Sequence, residues 1–188
     1  MPAVALNTSA AVAPAAPDAR TGAVTPAVSL AGELRRGGFA PFLATPCGIL
    51  APLLCALQDE GPLITVSRED NAVGMAAGCA IAGEAPVVLM QNSGLGQSVN
   101  ALASLVVPYA VPMLLVVSLR GTDLDHTPEN TVMGRITQSL LDGMDIPWTR
   151  LVPGADTAGP VERARRTVLE ERRTAALLVP PALFGWTP

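Results

Sequence analysis

Short apolar runs bounded by turn residues alternate along this chain with stretches in which apolar positions recur every three or four residues. Runs of the first kind read as buried strands and those of the second kind as amphipathic helices. Ser29 sits ahead of Leu30 and Leu34 as an N-cap, and Arg35-Arg36-Gly37-Gly38 supplies a stop, which predicts a first helix. Phe39 to Ala44 reads as the first strand, with Pro41 arguing for an edge or an irregular start. After Thr45-Pro46-Cys47-Gly48 the residues Ile49, Leu50, Leu53, Leu54 and Leu57 keep helical spacing. The pattern then predicts strand 63–66, helix 71–82, strand 87–90, a helix from Gln97 to Val106, strand Met113 to Val117 and a helix from Arg135 to Met144. Trp148 to Val152 and Ala175 to Val179 read as later strands around a charged helix, 160–173. Strands alternating with helices in this way predict an α/β fold, a mainly parallel sheet with helices on both faces.

A length of 188 residues suits one domain with a sizeable core. Residues 1–27, rich in Ala, Pro and Thr, read as a disordered leader without the basic start and apolar centre of a signal peptide, leaving 28–188 as the domain. Hydrophobic residues make up 49% but aromatics only 3%, so Ala, Val and Leu must fill the core. The net charge of -4 argues against nucleic acid. The one dense basic run, Arg163, Arg165, Arg166, Arg172 and Arg173, is interleaved with Glu162, Glu170 and Glu171 and reads as a solvated face. All 12 basic residues are Arg, so lysine Schiff-base and P-loop chemistry are excluded for this chain. Cys47, Cys55 and Cys79 lack zinc or redox spacing and read as reduced, mostly packing thiols of a cytoplasmic protein. No apolar stretch reaches the ~18 residues a membrane span needs.

In such sheets ligands collect beyond the carboxyl ends of the strands. The loops there are Thr45 to Gly48, Ser67 to Asn71, Gln91 to Gly96 and Ser118 to Glu129. Glu69, at the junction of a strand and a small-residue helix, is either a helix-terminal cap favoured by the dipole or a catalytic carboxylate. Gly94-Leu95-Gly96 is either a tight turn or an anion-cradling ligand loop, but is not GxGxxG. Ser93 lacks the Gly-x-Ser-x-Gly setting of a nucleophile elbow. His126, the one histidine, is either a solvated loop residue or a proton shuttle. Gly74 and Gly78 with Ala72, Ala76, Ala77 and Ala80 make the helix thin, for close packing on the sheet or for a partner's approach.

Glu69-Asp70-Asn71-Ala72-Val73-Gly74, then Met90-Gln91-Asn92-Ser93-Gly94-Leu95-Gly96-Gln97-Ser98-Val99-Asn100, then Arg120-Gly121 and Gly134-Arg135-Ile136-Thr137 resemble the phosphonopyruvate and sulfopyruvate decarboxylase family. The likeness runs from Gly37 to Trp148 and implies the pyrimidine-binding fold of thiamin diphosphate enzymes. It also implies that Glu69 is the glutamate that hydrogen-bonds N1′ of the aminopyrimidine and exchanges a proton with it. The resemblance assigns Thr45, Pro46, Glu69, Asn71, Gln91, Asn92, Ser93 and Gly94 to the cofactor. For the substrate it implies Cys47, Asn92, Ser93 and Asn100, while Arg120 and His126 suit its anionic group. The Gly-Asp-Gly motif of the magnesium and diphosphate site is absent from the chain. The implied protein is therefore the α subunit of a split decarboxylase, with Mg2+ and diphosphate held by a β subunit in an α2β2 or larger assembly. Its expected reaction converts an anionic 3-substituted pyruvate, a 2-oxo acid, to the aldehyde and CO2. An acyloin synthase subunit and a non-catalytic regulatory chain are the alternatives. Cys47, where phosphonopyruvate enzymes commonly have Asp, resembles the sulfopyruvate α chains, and Asp70 replaces a common Gly.

Overall fold

A computed structural model describes residues 24–187; the expected leader falls largely on residues outside these. Six parallel strands form one sheet in the order β2-β1-β3-β4-β6-β5. The strands are β1 (Phe42–Ala44), β2 (Leu63–Thr65), β3 (Val87–Gln91), β4 (Leu114–Ser118), β5 (Trp148–Arg150) and β6 (Ala175–Val179). The helices are α1 (Pro26–Arg36), α2 (Ala51–Glu60), α3 (Glu69–Ile81), α4 (Asn92–Gln97), α5 (Val99–Ala101), α6 (Pro128–Asp142) and α7 (Ala158–Arg165). π-turns at Leu102–Val106 and Arg166–Glu170 extend α5 and α7.

Successive strand residues point to opposite faces, and the core divides accordingly. Phe42, Ala44, Val87, Leu89, Val116 and Leu177 pack with Leu30 and Leu34 of α1, Leu53 and Leu57 of α2 and Val161 of α7. Leu43, Val88, Met90, Leu115 and Leu178 face Ala72, Ala76 and Ala80 of α3, Leu102 just after α5, and Leu141 of α6. Helices thus cover both faces, as the alternation predicts. The short side chains of α3 let it lie close over the sheet.

Several boundaries differ from the sequence reading. The first helix is capped by Thr25, whose hydroxyl accepts from the Val28 N–H at 3.3 Å, with Pro26 in the first turn; Ser29 lies inside it, and Pro26 and Ala27 belong to the fold rather than to a leader. β1 starts later than Phe39 and is internal, between β2 and β3. Pro41 is tolerated because it precedes the paired residues and only its carbonyl is used, accepting from Val87 N–H at 2.9 Å. α6 begins at Pro128, about two turns ahead of Arg135. Helix 160–173 is α7 and its π-turn, with Arg165 paired to Glu162 and Glu170 on an exposed face. Cys47 is buried but Cys55 is exposed, so not every thiol packs inside. No described helix is long and apolar enough to cross a membrane.

β1 leads to α2 on one face, while β3 leads to α4 on the other. The divergence opens a crevice beyond the carboxyl ends of β1 and β3, where such sheets bind ligands.

Candidate active site at the Glu69 crevice

Glu69 is the first residue of α3, at the positive end of the helix, and follows an extended Arg68. Its half-buried side chain crosses to the ends of β1 and β3. Oε1 accepts from the Thr45 hydroxyl at 3.1 Å. The amide of Gln97, turned to satisfy both neighbours, donates to Oε2 at 3.3 Å and accepts from Arg68 Nη2 at 2.8 Å. A Cβ built on Gly94 would stand 2.2 Å from Glu69 Cγ and 2.4 Å from Cδ. The glycine is therefore the floor on which the carboxylate rests, and any side chain there would evict it.

Sequence reasoning expected a tight turn or a ligand loop at Gly94-Leu95-Gly96 and a helix from Gln97. Instead α4 starts at Asn92, and both glycines are helical. Gly96 faces Met133 of α6, whose Cε would be 2.8 Å from an added Cβ. Low helix propensity is accepted here because Glu69 and Met133 occupy the space. Gln97, missed as a site residue, is brought onto Glu69 by this extra turn; the signal was its spacing of three from Gly94 on one helix face.

Asp70 leaves Glu69 alone. Its carboxylate takes both Nε and Nη2 of Arg68, at 3.0 and 2.8 Å, and this pairing holds it below its ordinary pKa. Thr45 and Gly94 meet at Glu69, while Pro46 is exposed beside it. Gln91 donates to the Ser93 hydroxyl at 2.8 Å at the end of β3, and Asn71 faces outward in the first turn of α3. Cys47 is buried with its Sγ 3.1 Å from Ser118 Oγ, tying the end of β1 to that of β4.

Two of the expected residues are engaged elsewhere in the fold. Asn92, expected to touch cofactor or substrate, is fully buried and saturated. Its amide donates to the Arg120 carbonyl at 2.9 Å and to Thr137 Oγ1 at 3.1 Å, and accepts from the Arg120 N–H at 3.3 Å. It pins α4, the 120 loop and α6 together. Asn100 lies on α5, exposed, its side-chain oxygen accepting from the Ser104 hydroxyl at 3.1 Å.

Arg120 follows β4, its Nε donating to Asp125 at 2.5 Å and its guanidinium 5.0 Å from the Trp186 ring centroid. Asp125 also accepts from the N–H groups of Gly121 and Thr127, the Thr127 hydroxyl and Asn130. Burial alone would raise its pKa, yet these donors, Arg120 first, hold it well below the usual carboxylate range. His126, next in sequence, is exposed. Among the described residues no three His, Cys, Asp or Glu side chains cluster as a metal site. A cavity of about 220 Å³ near Val106, Met144 and Thr174 lies at the amino ends of the strands, and one of about 450 Å³ beside Arg150 and Pro180 lies past β5 and β6. Neither includes Glu69, whose crevice is open on this chain.

Residues 25–146 match the protein family described as thiamine pyrophosphate enzyme, N-terminal TPP binding domain. Sulfopyruvate decarboxylase subunit alpha of Methanocaldococcus jannaschii is 40% identical over 106 residues, 55% of this chain and 63% of that protein. The subunit of the same name from Methanothermobacter thermautotrophicus is 41% identical over 109 residues, 56% of this chain and 66% of that protein. The chain thus spans just under two thirds of these relatives. Phosphonopyruvate decarboxylase of Streptomyces viridochromogenes is 32% identical over 149 residues, 78% of this chain and 38% of that protein. The solved thiamine diphosphate-dependent 4-hydroxybenzoylformate decarboxylase of Rhodococcus jostii RHA1 shares the fold, with a TM-score of 0.65 at 18% identity over 87% of this chain and 31% of that one. With 25–146 of 188 residues matched, a stretch that includes every residue around Glu69, the chain belongs to the thiamine pyrophosphate enzyme family.

Proposed function

We propose that this chain is the α subunit of a thiamin diphosphate-dependent decarboxylase that converts an anionic 3-substituted pyruvate, sulfopyruvate ahead of phosphonopyruvate, to the aldehyde and CO2. The observation that carries this reading is the Glu69 carboxylate seated on Gly94 and steadied by Thr45 and Gln97 at an open crevice. The cradle fits the aminopyrimidine: a carboxylate with two neutral donors can hold or release a proton toward a ring nitrogen. When bound, thiamin diphosphate supplies the electron sink for loss of CO2. Glu69 moves the proton at N1′, while Thr45 and Gln97 keep its oxygens aimed. Pro46, Asn71, Gln91 and Ser93 border the same opening, and Cys47 lies behind it on the substrate side.

Sulfopyruvate takes precedence because the sulfopyruvate α subunits share more identity than the phosphonopyruvate enzyme does. The anionic group falls to Arg120, with the exposed His126 on the same loop. We assign the diphosphate and Mg2+ to a β chain, as the subunit names of the relatives support, in an α2β2 or larger complex. That partner seats on the outer face of α3, the helix that begins with Glu69. Gly74 and Gly78 there have nothing within 4 Å of an added Cβ, and Met75 and Ile81 are exposed.

The test is Glu69→Gln in the complex reconstituted with its partner, thiamin diphosphate and magnesium. Exchange of the cofactor's C2 proton should slow by ~10²–10⁴-fold while assembly is unchanged. Wild-type exchange would reduce Glu69 to a helix-terminal residue. Product analysis with sulfopyruvate separates aldehyde from acyloin, and CO2 release separates both from a non-catalytic chain.

A further inference from the structure

We propose that Asp125 and Trp186 are positioning residues that hold Arg120 ready for the anionic group of the substrate; this rests on the reading of Arg120 as the anion-holding residue. The backbone of Arg120 is fixed first, by the two hydrogen bonds with buried Asn92. Its side chain is then fixed at one edge and one face. Asp125 takes Nε, and the indole of Trp186 lies under the guanidinium at 5.0 Å. Asp125 is itself immobile, since two backbone N–H groups, a hydroxyl and an amide share its oxygens.

A purely structural ion pair would engage the fork of the guanidinium. Here one of five N–H donors is used, and among the described residues no acceptor meets the terminal amino groups. The Arg120 side chain is 20% exposed while that of Asp125 is 0%, so the cation faces outward from a buried anchor. Two parallel N–H groups in a plane match two oxygens of a sulfonate or phosphonate. Fixing them in advance removes rotamer entropy that binding would otherwise cost. Trp186 reaches the guanidinium through the left-handed turn at Gly185, φ 74°, and its backbone N–H donates to the Pro181 carbonyl at 3.2 Å. Positions 120, 125 and 186 meet because β6 lies beside β4 in the sheet.

The experiment compares Arg120→Ala, Asp125→Asn, Trp186→Ala and Trp186→Phe in the reconstituted complex, reading kcat and KM for sulfopyruvate and for pyruvate. Asp125→Asn and Trp186→Ala should each raise KM for sulfopyruvate about tenfold, the loss of one charge-assisted contact, with kcat and the pyruvate constants little changed. Trp186→Phe should restore most of the affinity. Arg120→Ala combined with Asp125→Asn should be no worse than Arg120→Ala alone. In the full chain carrying Trp148→Phe, which leaves Trp186 as the remaining tryptophan, Asp125→Asn should shift the indole emission. If Arg120→Ala raises the sulfopyruvate KM but Asp125→Asn and Trp186→Ala do not, the positioning role is overturned and Arg120 acts unaided. If Arg120→Ala itself leaves the sulfopyruvate-to-pyruvate ratio unchanged, the anion-holding reading fails and the positioning role falls with it. Equal losses for both substrates would mark Asp125 and Trp186 as stabilising residues alone. Trp186→Ala disturbs no buried carboxylate, so it decides the matter even where Asp125→Asn folds poorly.

Discussion

Gly94 and Glu69 test each other at the scale of single residues. Gly94→Ala should change the stability of the chain by no more than about 1 kcal/mol, because alanine favours the helix and the atoms it meets belong to a side chain that can swing away. The displaced Glu69 would lose Thr45, so cofactor C2 exchange should fall nearly as far as in Glu69→Gln; urea unfolding and exchange rates measured on one preparation check both halves. Asp125 offers a pH test. Its folded pKa is depressed, so the unfolded chain binds the extra proton first as pH falls. Its stabilising contribution is complete above the unfolded value of about 4 and is lost progressively below it. Between about pH 4 and pH 2 the wild type should therefore lose stability more steeply than Asp125→Asn, as read from urea midpoints across that range. Parallel curves would mean that Asp125 is not the depressed group.

At the scale of elements, the strands were legible because buried parallel strands are nearly continuous apolar runs, and Val87–Gln91, Leu114–Ser118 and Ala175–Val179 fall within a residue or two of the pattern. Thr45 and Glu69 were legible for a related reason, standing at strand ends where ligands gather. α4 was not. Its glycines speak against a helix locally, and only the neighbours across the fold, Glu69 and Met133, explain them. The burial of Asn92 was not legible because polarity in a loop sequence says nothing of it; Thr137 and Arg120, its partners, lie 45 and 28 residues away. The same kind of contact fixes α6 to the 120 loop. A Cβ on Gly134 would stand 2.2 Å from the Gly121 carbonyl oxygen, and backbone cannot yield as a side chain can. Gly134→Ala should thus cost about 1–3 kcal/mol or more in urea unfolding and loosen Arg120, whereas Gly143→Ala at the far end of α6 serves as the control.

Across the whole molecule, the sheet buries two cores and, among the described residues, leaves one face of α3 uncommitted. Ala72, Ala76 and Ala80 of that helix pack inward, while Gly74, Met75, Gly78 and Ile81 face outward with Leu105 and Tyr109 also exposed. Two exposed helical glycines weaken an isolated helix and give the lone chain nothing in return. Gly74→Ala with Gly78→Ala should therefore stabilise the isolated chain by about 1–2 kcal/mol, since each added methyl meets open space and alanine favours the helix. In the complex the same methyls would hold a closely approaching partner backbone away. The expected result is a higher melting temperature for the free double variant together with weaker association with the partner subunit and lower reconstituted activity. Thermal unfolding and sedimentation of the mixture measure the two sides separately. A double variant that is more stable and still assembles with wild-type affinity would move the partner to another surface and leave the outer face of α3 to solvent.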